Sequence, residues 1–352
     1  MNRIKFFDLV RVICFILIIY YHMVAQLPVS GIRTYADIWP FVANANMQIG
    51  TFAVAVFFMI SGASLMYTTM DKFQIGKFYL KRYIRLLIPF YVVTFMYYIV
   101  NAIRVRDLAG VYVGGIPVWR WIFTILGMDE WVSMHGVVTF SRGIGEWFLG
   151  ALVILSLVFP LLRWCMLKSQ KIFMAIVTLI YLVIIYNYNS EIFIYMSLPV
   201  KAYDFILGMW FGLNWNKIHP NWKYVTIPVL LLYLFCPVAF PINEALKILT
   251  VSFAFLVSFS FLENKLQDSK LLVVNWLSKY SYELFLVHHL VIYAMTPYQP
   301  PVAYAIVDIL RLFAIEAVII FVIAVIAKFV SDRVIQLVWK LVDVGCNIVK
   351  KR

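Results

Sequence analysis

Residues 7–23 read FDLVRVICFILIIYYHM, an apolar run that carries an acid, an arginine and a histidine. With its flanking residues the run is long enough for a membrane-spanning helix, which needs about 20 residues. Ionisable side chains are costly in hydrocarbon, so Asp8, Arg11 and His22 are expected to face a polar interior rather than lipid. The stretch therefore predicts a transmembrane helix with a functional stripe.

The spacing of these three residues places them on one helical face. At about 100° per residue, His22 returns to within roughly 20° of Arg11, and Asp8 lies one turn before Arg11. The helical rise puts His22 roughly 16 Å further along than Arg11. We expect an Asp8–Arg11 ion pair near one membrane surface and an imidazole deeper inside. The alternative is that His22 is only hydrogen-bonded to a neighbouring helix.

The composition identifies the class of protein. The chain has 352 residues, of which 64% are hydrophobic and 13% charged, a balance that excludes a soluble globular domain. The net charge of +13 does not predict nucleic-acid binding, because membrane proteins concentrate Lys and Arg in cytoplasmic loops. We expect a single membrane domain over 1–352, in contact with lipid and without a nucleic-acid partner.

Hydropathy predicts an all-α fold with about ten transmembrane helices. An even number places both termini on one side of the membrane. The excess of Lys and Arg in segments such as 70–83 makes that side cytoplasmic, so the connection 104–143 faces outward. Residues 332–352 resemble a cytoplasmic amphipathic tail. The predicted spans are 7–27, 49–69, 84–103, 144–163, 171–188, 193–213, 222–240, 245–262, 277–297 and 303–330.

Two early motifs each allow two interpretations. In FFMISGAS, residues 57–64, the small residues favour close helix packing, while Ser61 or Ser64 could instead line a cavity. Arg82 and Arg85 share one face at the start of the third span. Cytoplasmic arginines commonly bind lipid phosphates. The planar guanidinium group, with its forked N–H donors, also suits a soluble phosphorylated ligand.

Later segments supply further candidates. The connection 104–143 combines tryptophans with acids, which suits either interfacial anchors or a sugar site. Lys201 and Asp204 have the spacing of a helical ion pair. His288 and His289 are adjacent, so they point about 100° apart on a helix and make a poor chelate. No metal cofactor is expected.

Taken in order, these motifs resemble the integral-membrane acyltransferase 3 family over most of the chain. Asp8, Arg11 and His22 resemble its arginine–ten residues–histidine signature with the preceding acid. Residues 57–62 resemble its Phe-Phe-x-x-Ser-Gly element. The remaining matches are the arginine-x-x-arginine segment 78–89, Trp147-Phe148-Leu149, the segment Pro199 to Gly208, and Ser281-Tyr282 to His288.

The resemblance implies transfer of an acyl group, usually acetyl, from cytosolic acyl-CoA to a hydroxyl, commonly of a glycan. It implies that Arg82 and Arg85, with the adjacent Lys81, hold the CoA phosphates. It also implies that His22 is the catalytic base, with Arg11 and Asp8 beside it. Candidates for acceptor contacts or for support of the site are Ser61, Trp147, Asp204 and His288. Both direct transfer and an acyl-enzyme on His22 remain open.

Departures from the family pattern bear on the acceptor. Many members that modify surface polysaccharides carry Val-Glu-Glu where this chain has Ala151, Leu152 and Val153, and no extracellular hydrolase-like domain is expected. These features favour the short subgroup, which acts on lipid-linked or exopolysaccharide sugars. We expect a multi-pass protein of a bacterial plasma membrane, with a homodimer left open.

Two rival functions remain. A transporter or flippase for a lipid-linked glycan would also need buried charges, although no inverted repeat or paired broken helices are evident. A non-enzymatic scaffold for a polysaccharide synthase would leave the Arg11–His22 stripe without a purpose.

Overall fold

The computed structural model describes residues 3–34, 42–105, 116–140, 143–267, 271–296 and 302–350. These residues are mostly helical and contain almost no sheet, which confirms the all-α prediction. The two short strands β1 (Ile32–Thr34) and β2 (Val302–Tyr304) pair in parallel. The α-helices are α1 (Lys5–Val29), α2 (Ile49–Thr68), α3 (Ile75–Val105), α4 (Trp121–Leu126), α5 (Asp129–Met134), α6 (Glu146–Lys168), α7 (Gln170–Tyr186), α8 (Leu198–Asn214), α9 (Lys223–Phe235), α10 (Glu244–Ser260), α11 (Leu272–Ser278), α12 (Ser281–Met295) and α13 (Ile306–Lys350).

A helix lies at each of the ten predicted spans. Within the described ranges, six helices are long and apolar enough to cross a membrane, namely α1, α2, α3, α6, α10 and α13, while α7 is apolar but shorter. About ten crossings and cytoplasmic termini therefore stay predictions. The last helix runs from Ile306 to Lys350 without a break, so the tail proposed at 332–352 begins within a continuous helix.

The chain folds as two compact units, and the assignment of one functional domain over 1–352 stays a prediction. The first unit comprises Met1–Phe73, Leu157–Ser281 and Ile292–Phe313, and the second comprises Gln74–Ser156, Tyr282–Val291 and Ala314–Arg352.

The first unit is centred on close packing between α2 and α8. A Cβ atom added at Gly62 would lie 2.0 Å from the Phe205 carbonyl oxygen, and one at Gly208 would lie 2.0 Å from the Met59 carbonyl oxygen. No side chain fits at such a distance, so the two backbones approach closely only because both positions are glycine. The FFMISGAS element is thus primarily a packing surface, and this contact fixes the helix that carries Lys201 and Asp204.

Replacing Gly208 by valine should therefore separate α2 from α8. We expect a loss of about 3 kcal/mol or more in the free energy of unfolding, since overpacking here meets backbone rather than a movable side chain. Thermal unfolding in detergent measures the effect. Gly76→Val is the matched control, because no atom beyond its chain neighbours and its own helix backbone lies within 4 Å of a Cβ at Gly76. Equal stability of the two variants would contradict this packing.

The start of α1 is held by a carboxylate from a distant segment. The backbone N–H groups of Lys5 and Phe6 donate to the two carboxylate oxygens of Glu263, at 3.1 and 2.9 Å. A carboxylate at a helix N-terminus satisfies donors that lack intrahelical partners and complements the helix dipole. Since Glu263 fixes this end of α1, it also sets the position of the stripe that begins at Asp8.

The second unit joins α3, the short helices α4 and α5, the start of α6, most of α12 and the larger part of α13. The Tyr282 hydroxyl donates to the Leu86 carbonyl oxygen at 2.7 Å, and the rings of Phe148 and Phe285 lie 4.8 Å apart. These contacts tie α12 to α3 and to α6. They place the histidines of α12 beside the beginning of α6.

The orientation of this unit can be tested with Lys77 and Ser133, two exposed residues. We expect Lys77→Cys to react with an impermeant thiol reagent from the cytoplasm and Ser133→Cys from outside, as the distribution of Lys and Arg predicts. Both cysteines should be introduced after the native cysteines are replaced, with the cysteine-free chain as control. Labelling of both from one side would contradict the orientation.

Candidate functional site

The stripe on α1 contains the predicted ion pair. Arg11 Nη1 lies 2.7 Å from Asp8 Oδ1, and Arg3 Nε lies 2.5 Å from Asp8 Oδ2. Asp8 is buried, so the two guanidinium groups stabilise its charge away from bulk water. The predicted Asp8–Arg11 ion pair is confirmed. Arg3 is an additional partner of Asp8, which the sequence did not predict because Arg3 precedes the apolar run.

His22 lies on the same helix, further along. It is half-buried, and its ring packs edge-on against Tyr21 with the ring centroids 5.2 Å apart. This position satisfies the first requirement for a base inside the membrane, which is an imidazole partly shielded from solvent. Its catalytic role stays a proposal.

Lys201 and Asp204 form the predicted pair on α8. Lys201 Nζ lies 2.7 Å from Asp204 Oδ2, and both side chains are almost fully buried. Lys201 Nζ also lies 6.0 Å from the ring centroid of Phe58, in the FFMISGAS element. The buried ion pair thus lies near the helix α2, which carries Phe58. Ser61, also on α2, is half-buried.

The arginine segment on α3 contains one ordered and two exposed cations. Arg82 Nε donates to Ser156 Oγ at 2.9 Å, and this bond fixes the plane of the guanidinium fork. Lys81 and Arg85 are exposed. The arrangement offers one oriented guanidinium group and two exposed positive charges, which suits a ligand with several phosphate groups.

His288 and His289 converge on one carboxylate. His288 Nε2 lies 3.2 Å and His289 Nε2 lies 3.0 Å from the same oxygen, Glu146 Oε1. His288 Nδ1 lies 2.6 Å from the Phe285 carbonyl oxygen. The prediction that the adjacent histidines diverge is wrong. The two rings are turned 87° to each other, and this rotation brings both Nε2 atoms to the same carboxylate oxygen.

Glu146 is the main residue that the sequence analysis missed. Its backbone φ is +46°, the one positive value at a non-glycine residue in the described ranges. Residues other than glycine rarely adopt this conformation, and such strain clusters at functional sites. Gly145, also at positive φ, precedes it. An acid opening an apolar span was the available signal, and Trp147, a predicted acceptor contact, follows it as a half-buried residue.

Residues of α3, α4 and α5, and of the segment before α6, line a small cavity. Its volume is about 10 Å³, and its lining includes Asp129, Thr124, Tyr98 and Phe140. This is room for about one water molecule, so the cavity does not accommodate a sugar ring. Burial of Asp129 raises the pKa of its carboxyl group to about 6, and the neighbouring Glu130 adds to the shift.

The shifted Asp129 pKa predicts how stability depends on pH. The ordinary pKa is 3.8, so the folded chain holds this proton between about pH 4 and 6 while the unfolded chain releases it. The contribution of Asp129 to the free energy of unfolding is therefore fully present at low pH. It falls by up to about 3 kcal/mol as the pH rises from about 4 to 6. Asp129→Asn should remove this fall.

Thermal unfolding of wild type and Asp129→Asn at several values between pH 4 and 8 measures the effect. The variant should gain stability relative to wild type as pH rises. Parallel curves would show that Asp129 is ionised in the folded protein.

The predicted residues thus fall into four local groups. The first unit holds Asp8 with Arg11 and His22 on α1, and Lys201 with Asp204 near Phe58. The second unit holds Lys81, Arg82 and Arg85 at the start of α3, and His288 with Trp147 near Glu146.

A family model described as an acyltransferase domain, acyltransferase 3, matches residues 4–332. Searches of curated proteins and of solved structures gave no match.

Proposed function

Because the chain belongs to the acyltransferase 3 family and is accordingly an acyltransferase, we propose that it moves an acetyl or other short acyl group from cytosolic acyl-CoA to a hydroxyl of a lipid-linked or cell-surface glycan. The choice of acyl-CoA as the donor rests on the guanidinium group of Arg82. Its orientation by Ser156, with two exposed cations beside it, suits the phosphates of CoA.

His22 is proposed as the general base. Its neutral imidazole removes the proton from the acceptor hydroxyl while that oxygen attacks the thioester carbonyl. The carbon–sulfur bond then breaks, and the proton passes from His22 to the CoA sulfur. The Asp8–Arg11 pair is proposed to hold α1 in the orientation that this proton transfer needs.

The remaining candidates are proposed to support the acceptor side. Ser61 and Trp147 are half-buried and polar, so they could donate to sugar hydroxyls, while the buried Lys201–Asp204 pair maintains the helix that carries it. The acceptor is proposed to be a lipid-linked or exopolysaccharide sugar, as in the short subgroup of the family. The protein is proposed to act in the plasma membrane of a bacterium and to form a homodimer.

Acceptor-dependent release of CoA thiol tests the proposal. Purified protein in lipid vesicles is given acetyl-CoA with and without a lipid-linked saccharide, and free thiol is measured. We expect release to rise with the acceptor. A glycan flippase would move the saccharide and release no thiol, so absence of release in folded protein would contradict the proposal.

A further inference from the structure

Three ligand atoms converge where α6 begins. One ligand atom from each of Glu146, His288 and His289 lies within 4.8 Å of the others. The two nitrogen–oxygen distances are 3.2 and 3.0 Å. Two atoms bound to a tetrahedral zinc ion at about 2.0 to 2.1 Å are separated by about 3.3 Å. The observed separations therefore match the edges of a metal coordination sphere.

The hydrogen bond of His288 sets its tautomer. A carbonyl oxygen can only accept, so the 2.6 Å contact with Phe285 requires that Nδ1 carry a hydrogen. In the neutral ring Nε2 then presents its lone pair to Glu146. Two electron-rich atoms 3.2 Å apart repel each other unless a positive charge lies between them. Histidines that bind metals characteristically donate their other N–H to a backbone carbonyl in this way.

The three side chains are held in place before any ligand arrives. His288 is fully buried, and His289 and Glu146 are largely buried. The ring of Phe285, whose carbonyl orients His288, packs on Phe148. A Cβ atom at Gly145 would lie 2.9 Å from Leu149 Cδ2, so the backbone that positions Glu146 is closely packed against Leu149. Such preorganisation favours a specific ion over an accidental contact.

From this geometry we infer that Glu146, His288 and His289 form a binding site for a divalent transition-metal ion such as Zn²⁺. Two imidazoles and one carboxylate are a ligand set that zinc prefers. The carboxylate offsets part of the ionic charge. The inference concerns binding and does not depend on the acyl-transfer reaction.

Metal analysis of the full-length protein tests the inference. The chain is purified in detergent through a tag without histidine, equilibrated with Zn²⁺ and dialysed against metal-free buffer. Elemental analysis should find about one zinc ion per chain. Replacement by Co²⁺ should give the intense visible absorption of a four-coordinate site, which reports the ligands directly.

Three variants identify the ligands. Glu146→Gln keeps the shape of the side chain but removes its charge, and His289→Gln removes one imidazole at the less buried position. Both should weaken zinc binding by at least about tenfold and abolish the Co²⁺ absorption. His135→Gln is the matched control, because His135 is exposed in the same unit, and it should behave as wild type.

Size-exclusion elution of each variant verifies folding. The inference is overturned if folded wild type retains no zinc and gives no Co²⁺ absorption. It is also overturned if Glu146→Gln and His289→Gln bind zinc as tightly as His135→Gln. In either case the three groups form a hydrogen-bonded cluster that shares a proton.

Discussion

Replacing His22 by alanine is expected to lower the rate of acyl transfer by about a hundredfold or more. A positioned base contributes through the transition state, where the acceptor hydroxyl loses its proton. The acetyl-CoA concentration at half-maximal rate should stay nearly constant, because the imidazole is proposed to meet the reacting carbon rather than the nucleotide. Initial rates over a range of acetyl-CoA concentrations measure both quantities.

Conservative variants separate catalysis from packing at this position. His22→Asn and His22→Gln retain a polar side chain that can hydrogen-bond to a neighbour but cannot accept a proton at neutral pH. If His22 is the base, both should be as inactive as His22→Ala. His219→Ala, at an exposed histidine, is the control. Substantial activity in folded His22→Gln would show that His22 is not the general base.

The second large effect is expected at Arg82. Arg82→Lys loses the hydrogen bond to Ser156 and the planar fork, so the acetyl-CoA concentration at half-maximal rate should rise about tenfold. Arg82→Glu reverses the charge and should raise it further. Arg85→Lys should have a smaller effect of the same kind, because that side chain is exposed. Saturated turnover should change less in all three variants.

A charge control comes from the same helix. Lys77→Glu makes the same change in net charge as Arg82→Glu, at an exposed residue before the arginine segment. It should leave the acetyl-CoA dependence close to wild type. If the arginines only bind lipid headgroups, Arg82→Lys would behave as wild type, and CoA would bind elsewhere.

The features that the sequence predicted are those set by local spacing. The positions of ten helices follow from hydropathy, and the Asp8–Arg11 and Lys201–Asp204 pairs follow from helical periodicity. In each case both partners lie on one helix, so three residues of separation fix their distance. The small residues around Gly62 predict close helix packing, whereas the partner residue Phe205 follows only from the fold.

The features that the sequence analysis missed depend on contacts between segments or on side-chain rotation. Glu263 lies far along the chain from the helix end that it caps, and no spacing rule relates the two. Glu146 acquires its role from a left-handed backbone at its own position and from histidines on α12. The angle between the Cα–Cβ bonds predicts that His288 and His289 diverge, whereas the rotation of the rings decides where their nitrogen atoms lie.

The most direct test of acyl transfer by this protein is the ester-linked acetyl content of membrane and surface glycans. Three otherwise identical bacterial cultures are compared, which carry the wild-type protein, the His22→Ala variant at equal expression, and no protein. Mild base releases the acetate, which is then measured. We predict acetate from glycans only in the first culture. Equal acetate in all three, with the wild-type protein folded in the membrane, would contradict it.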